Sequence, residues 1–259
     1  MSSAFTDPRA LATSAYADPT NLAARTAIYA YQSPRIDLVH EVVRRVADVD
    51  GPILDVGCGP GRFAKALRDA APSRPVVACD LSAGMAAVAG PPAAVGTAAA
   101  LPFGDQVFQG SLALHMLYHL NSPDAALAEL ARVTAGSVLI STNAVDHRRE
   151  MHEVHAAAAR DVGLPSVDSA GLASRFNLDE AETAARRHFR RVERTDLTGT
   201  ATIPESAPIV AFTASTASWY GDPATYAPVL DRVAVRINEI IARDGAFRFR
   251  THMGFLACR

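Results

Sequence analysis

The stretch Pro52-Ile-Leu-Asp-Val-Gly-Cys-Gly-Pro-Gly-Arg-Phe63 decides the fold. Its apolar run, Ile53, Leu54 and Val56, reads as a strand that ends in three glycines spaced two apart, Gly57, Gly59 and Gly61. Phe63, Ala64, Leu67 and Ala70 then recur at helical spacing. Strand, glycine turn and helix open a nucleotide-binding α/β unit. The glycines let the backbone take positive φ and approach a ligand closely, and the helix start aims free N–H groups at an anionic group.

Spacing narrows the ligand. A dinucleotide fingerprint, G-x-G-x-x-G, wants glycine at position 62 after Gly57 and Gly59, and that position is Arg62. The third glycine falls at 61 instead, giving Asp55-x-Gly57-x-Gly59-x-Gly61. This run resembles the first motif of class I S-adenosylmethionine-dependent methyltransferases. The resemblance implies an α/β, Rossmann-like doubly wound sheet of seven strands, mostly parallel with an antiparallel last strand. It also implies an N-terminal helical lid and a helical cap insertion. S-adenosylmethionine is the implied cofactor, with Asp55, Gly57, Cys58, Gly59 and Gly61 around it.

Pro75-Val-Val-Ala-Cys-Asp80 reads as the next strand, ending in an acid 19 residues beyond Gly61. That distance suits a carboxylate accepting from both ribose hydroxyls. Leu81-Ser-Ala-Gly-Met85 resembles the family's D-x-S-x-x-M stretch, which implies that Leu81 and Met85 flank the adenine. Ala98-Ala-Ala-Leu-Pro-Phe-Gly-Asp-Gln-Val-Phe108 resembles the G-D-A-x-x-L-P-F element of the small-molecule group containing the ubiquinone-type enzymes. Thr97 replaces that element's usual acid, and Gln109 the acid before the fourth strand. Backbone contacts from Ala98 and Ala99 to adenine survive both changes, and weaker cofactor affinity is expected. The same departures leave room for a regulatory protein of this fold that binds the cofactor without methylating.

Gly110 to Leu120 reads as the fourth strand and the turn beyond it. Ligands of open α/β sheets bind outside the strands' carboxyl ends. The resemblance places His115 against the cofactor's methionine portion and His119 where some relatives keep a base. Upstream, residues 8 to 47 look helical, with Tyr16, Tyr29 and Tyr31 ahead of Ser33-Pro34, where Ser33 suits a cap and Pro34 a first helical turn. In relatives such a segment lies over the cofactor. Tyr31 is therefore expected beside His119 in catalysis, and Tyr29 at the substrate.

After the fifth strand, Asp146-His-Arg-Arg-Glu-Met-His-Glu-Val-His155 concentrates three of the eight histidines. Their i, i+5, i+8 spacing is not the His-Glu-x-x-His pattern that puts two metal ligands on one face, so no metal is expected. A solvated or substrate-facing helix is expected, with His147 and His152 as substrate contacts. Five arginines between 186 and 194 alternate with acids and read as a solvated face. Val192–Ile203 and Phe247–Cys258 read as the last two strands. Helices are expected over Ala207–Tyr220, whose Trp219 is a further candidate substrate contact, and over Tyr226–Arg243.

The chain has 259 residues, 49% of them hydrophobic, enough for one domain. Its expected organisation is a lid (1–48), a cofactor-binding half (49–144), a cap insertion (145–178) and the rest of the sheet (179–259). A net charge of −2 gives no electrostatic case for nucleic acid or an anionic membrane. No apolar run approaches a membrane span, and the first residues lack a signal-peptide pattern. Cys58, Cys79 and Cys258 read as buried hydrophobes in a reducing, cytoplasmic setting. Lys65 is the single lysine among 25 basic residues, a bias resembling that of high-GC bacteria. The expected reaction is methyl transfer to an O, N or C nucleophile of a small molecule in bacterial secondary metabolism.

Overall fold

The computed structural model describes Thr6 and residues 20–164, 176–217 and 223–259. One mixed sheet runs through it in the order β1-β7-β8-β6-β5-β2-β3-β4. Five strands are mutually parallel: β2 (Ile53–Val56), β3 (Val76–Asp80), β4 (Ala93–Val95), β5 (Phe108–Leu114) and β6 (Thr134–Asn143). The antiparallel β8 (Phe247–Cys258) lies between β6 and β7 (Val192–Ile203). The strand order reverses beside β2, whose neighbours are β3 and β5, and the carboxyl ends meeting there form the crevice where ligands of such sheets bind.

The helices cover both faces: α1 (Thr20–Ala27), α2 (Leu38–Arg45), α3 (Arg62–Ala70), α4 (Ala83–Ala89), α5 (Pro123–Val133), α6 (Arg149–Asp161), α7 (Leu178–His188), α8 (Ala207–Ser215) and α9 (Pro223–Asp244). One core joins Leu54, Val56, Ile140 and Leu256 to α5 and α7. The opposite face packs Ile53, Leu112 and Phe255 against α2 and α3. A third cluster gathers Ile28, Phe249, Val233 and Ile237 under α6, α8 and α9. Every residue of β2 is buried, as a central parallel strand requires, and Asp55 is the one charge among them.

Four sequence expectations need correction. The sheet has an eighth strand, β1 (Gln32–Ser33), which pairs antiparallel with Thr200 and Ala201 of β7. The segment around Pro34 therefore does not start a helix. Asp37 caps α2, its carboxylate accepting from the N–H groups of Val39 and His40 at 3.0 and 3.1 Å. Before it, α1 ends in a 3-10 turn over Ile28–Tyr31, so the expected continuous helical stretch is broken; residues 8–19 lie outside the described residues. Later in the chain α5 passes straight into β6 at Thr134, with no turn between them. Gln109 lies inside β5 rather than before it, and its carbonyl oxygen fills the space above Gly136, where a Cβ would sit 2.2 Å away.

The arginines of 186–194 meet acids on the surface, Arg187 pairing with Asp124 and Arg194 with Asp179, Glu182 and Asp196. No helix among the described residues is long and apolar enough to cross a membrane.

Candidate active site

The glycine turn follows β2. Gly57 donates to the Cys79 carbonyl at 2.8 Å, which ties the turn to β3. Its three glycines all have positive φ, at 67°, 53° and 79°, yet they face different surroundings. A Cβ on Gly57 would meet the Met116 side chain at 2.8 Å, and one on Gly61 the Ala89 backbone at 2.6 Å. A Cβ on Gly59 would meet nothing within 4 Å. Gly57 and Gly61 are thus required by the protein's own packing, while Gly59 opens on space that a side chain would fill.

Asp80 ends β3 beside this cradle. Its two carboxylate oxygens accept from the N–H groups of Gly59 at 2.9 Å and Ser82 at 2.8 Å, so the turn itself orients the acid. Leu81 is exposed, whereas Met85 is buried inside the fold, so of the two expected adenine neighbours it is Leu81 that stands open. Ala98 is buried, and the Ala99 N–H donates to the Thr97 hydroxyl at 3.4 Å.

Asp55 is 1% exposed. The Ala64 N–H of α3 bonds its carboxylate, but Oδ2 has no partner. Burial pushes this carboxyl up to about 7, with nearby Asp80 adding to the effect and the Ala64 N–H opposing it. A buried carboxylate oxygen left open invites a cation. S-adenosylmethionine carries an ammonium and a sulfonium, ribose hydroxyls suited to Asp80, and bulk suited to the Gly59 cradle, so the residues fit that group. The thiol of Cys58 is buried beneath the turn and pushed well above its ordinary range by burial and by Asp55.

A second cluster forms outside the carboxyl ends of β5 and β6. His115 leaves β5 with φ of 52° and donates its N–H to the Ser141 carbonyl at 2.9 Å. Burial, reinforced by Arg148, holds its imidazole down at about 4. The loop after β6 is pinned to β8 by Ala144 N–H to the His252 carbonyl and Arg148 N–H to the Arg250 carbonyl. There His147 is 2% exposed, and its Nδ1 accepts from the His252 N–H at 2.9 Å. Burial and then Arg148 keep its ring well below the ordinary value, hence neutral. A neutral ring whose Nδ1 accepts must carry its proton on Nε2. Nε2–H therefore donates to the Tyr29 hydroxyl oxygen, 2.9 Å away, and the Tyr29 O–H keeps its own hydrogen for another acceptor.

The expected solvated histidine helix is thus partly interior. His147 and His155 are buried, His155 ring-to-ring with Tyr226, while His152 is half-buried near His147. Of the expected pair His119 and Tyr31, His119 lies in the 3-10 turn after β5, edge-on to Tyr118, and Tyr31 packs with the third cluster just before β1. A tyrosine–histidine bond is formed between Tyr29 and His147. Trp219 lies outside the described residues. Among the described residues no three His, Cys, Asp or Glu side chains gather as a metal site.

The sequence reading missed Arg148, Phe212 and His252. Arg148 is 8% exposed and lies over the Phe212 ring, its guanidinium carbon 4.5 Å from the centroid. His252 bonds Asp146 at 2.7 Å. Burial pushes the Asp146 carboxyl up, and the hydrogen bonds from Arg250 and His252 outweigh it, holding the group below its usual range.

Sheet order, glycine turn and strand-ending acid are those expected of a Rossmann-like α/β methyltransferase fold. Comparison with known proteins agrees. The family model described as "Methyltransferase domain" matches residues 54–142. A candidate methyltransferase from an antibiotic biosynthesis pathway of Anabaena variabilis superimposes with a TM-score of 0.63 at 15% identity, over 86% of this chain and 96% of that one. A candidate methyltransferase from Bacillus halodurans gives 0.54 at 18%, over 86% and 98%. A Haemonchus contortus phosphoethanolamine N-methyltransferase, in complex with phosphomonomethylethanolamine and S-adenosylhomocysteine, gives 0.56 at 17%, over 98% of this chain and 59% of that one. No curated protein sequence matches. Residues 54–142 thus match a methyltransferase domain, and the chain shares the fold of these solved methyltransferases.

Proposed function

We propose that the enzyme methylates an O, N or C nucleophile of a small molecule. One observation carries this reading: His115, His147, Arg148 and the Tyr29 hydroxyl converge outside β5 and β6, next to the glycine cradle, and His147 and Arg148 are nearly inaccessible to solvent. So enclosed a site suits a compact acceptor better than a polymer. Net charge of −2 and ion-paired surface arginines give nucleic acid no basic footprint.

In this reading the chain is a single methyltransferase domain. Asp80 holds the ribose hydroxyls, Asp55 faces the cofactor's cationic end, and Gly57, Cys58, Gly59 and Gly61 form the floor. Leu81, Met85, Ala98 and Ala99 surround the adenine, and His115 the methionine portion. When bound, S-adenosylmethionine supplies a methyl group already activated by positive sulfur. The protein's task is then to hold the acceptor in line, a contribution worth effective molarities of about 10⁵–10⁸ M in good cases. His119 is the proposed base and Tyr31 its helper, with Tyr29, His147, His152 and Trp219 toward the acceptor. Three free, buried cysteines fit a reducing cytoplasm, and the single lysine fits a bacterial source and secondary metabolism.

The test pairs binding with transfer. Asp80→Ala should weaken S-adenosylhomocysteine binding by about 1.5–3 kcal/mol in calorimetry, the usual loss for hydrogen bonds to a charged group. Methyl-labelled cofactor should label the small-metabolite fraction of a bacterial extract. Label appearing only in RNA, DNA or protein would overturn the small-molecule assignment.

A further inference from the structure

Among the described residues, Arg148 is a buried cation without a counter-ion. Among the described residues no carboxylate lies within ion-pair distance of its guanidinium, and Nε has no hydrogen-bond partner. The acids on either side are engaged elsewhere: Asp146 with Arg250 and His252, Glu150 with the Arg250 N–H. Leaving a buried charge unpaired is expensive, and proteins pair such groups or bind something to them. The Phe212 face recovers part of that cost, but a ring quadrupole does not replace an anion.

The surroundings sharpen the point. Arg148 has φ of 59°, an unusual backbone for a residue with a side chain, and nearby His115 has 52°. Both imidazoles near the guanidinium are held neutral, partly by Arg148 itself, so neither competes as a cation. The Tyr29 hydroxyl oxygen accepts from Nε2–H of His147, which leaves the Tyr29 O–H as a donor to another group. A permanent cation and a free hydroxyl donor, with no acid among them, make a receptor for an oxyanion. The planar guanidinium suits the two oxygens of a carboxylate or phosphate.

The geometry points to a methyl acceptor that carries an anionic group, a carboxylate or a phosphate, held by Arg148 above the Phe212 ring. This deepens the small-molecule reading and rests on it. The anion would anchor the acceptor at β6 and α8 while its nucleophile reaches the methyl beside β5.

The test uses the full chain saturated with S-adenosylhomocysteine, the binding of which is first measured by calorimetry. At constant ionic strength, chloride is exchanged for inorganic phosphate, and separately benzoate is compared with neutral benzamide. Phosphate and benzoate should raise Tm saturably and benzamide should not. In Arg148→Gln the half-saturating anion concentration should rise about tenfold or more, and in Arg148→Lys by less. Affinity for S-adenosylhomocysteine should change less than about threefold in either variant. If both variants fail to fold, the wild-type benzoate and benzamide arms decide alone: equal effects, or none, overturn the inference. It is also overturned if anions act equally on wild type and Arg148→Gln. A tenfold loss of S-adenosylhomocysteine affinity in Arg148→Gln overturns it too, because the guanidinium would then serve the cofactor's own carboxylate. Wild type that binds no S-adenosylhomocysteine removes the methyl-transfer reading and this inference with it. Wild type that binds it without any anion effect removes this inference only.

Discussion

The hydroxyl of Tyr29 lies 2.9 Å from Nε2 of His147, joining residues 118 positions apart across the mouth of the sheet. His147 is the buried partner, its other nitrogen held by the His252 N–H. The pair fastens the N-terminal 3-10 turn to the loop after β6 and fixes which imidazole nitrogen carries the proton.

Removing that hydroxyl should therefore cost stability before chemistry. Tyr29→Phe leaves a buried Nε2–H without its acceptor, a loss of about 1–3 kcal/mol. At about 2–4 °C per kcal/mol for a chain approaching this size, calorimetry should show Tm lower by several degrees. Affinity for S-adenosylhomocysteine should hold, since Asp80 and the glycine turn are untouched. An unchanged Tm would mean that the bond contributes nothing.

The glycines of the turn should separate into two kinds. Gly59→Val places its side chain in open space, so the fold should survive, at a cost of roughly 1–2 kcal/mol for a left-handed backbone. Cofactor binding should vanish, because the branched side chain takes the ligand's place. Gly61→Val meets the Ala89 backbone at 2.6 Å and should lose much more stability. Retained binding in a folded Gly59→Val protein, or a Gly61→Val protein as stable as it, would contradict the division.

Much of this was legible in sequence where a pattern repeats locally. β7 and β8 span the residues their composition marks, because long strands ended by turns leave few other registers. The glycine turn declares itself because its backbone needs those residues. Single side chains at loop ends are harder. Ser33 and Asp37 are both good caps, and pairing of β1 with β7 decides between them. Arg148 and Arg149 are adjacent and chemically identical, yet one is buried and the other exposed. Which arginine turns inward follows from the Arg148 N–H bond to β8, about 100 residues downstream. No local periodicity encodes that contact, nor that of Tyr29 with His147.

Asp55 should make cofactor binding depend on pH. Its folded carboxyl is raised to about 7 from an ordinary 3.8, so between those values the folded chain holds a proton that the unfolded chain has lost. The free protein should consequently lose stability as pH rises through that window. A cationic cofactor group beside the carboxylate favours its charged form, so binding near pH 6 should expel a proton and strengthen toward pH 7. Calorimetry in two buffers of different ionisation enthalpy should give unequal heats for wild type and equal heats for Asp55→Asn. Equal heats for wild type would remove Asp55 from the site.

His119 offers the sharpest division between catalysis and architecture. It sits half-buried in the turn after β5, its ring 4.7 Å from that of Tyr118, and its N–H donates to the Met116 carbonyl at 3.0 Å. That backbone bond closes the turn whatever the side chain is, so the imidazole is not needed for it. A base is worth roughly 10²–10⁴-fold when the acceptor must lose a proton. His119→Ala should lower the single-turnover rate by about that factor while cofactor affinity stays within a few-fold. Tyr31→Phe should lower it more mildly, since Tyr31 packs with the third cluster and makes no bond to His119. A purely structural His119 gives the reverse pattern: Tm falls in the Ala variant while the rate per folded molecule holds. Melting temperature and single-turnover rate, measured on the same preparations, separate these outcomes, and an unaltered rate with an intact fold would strike His119 from the mechanism.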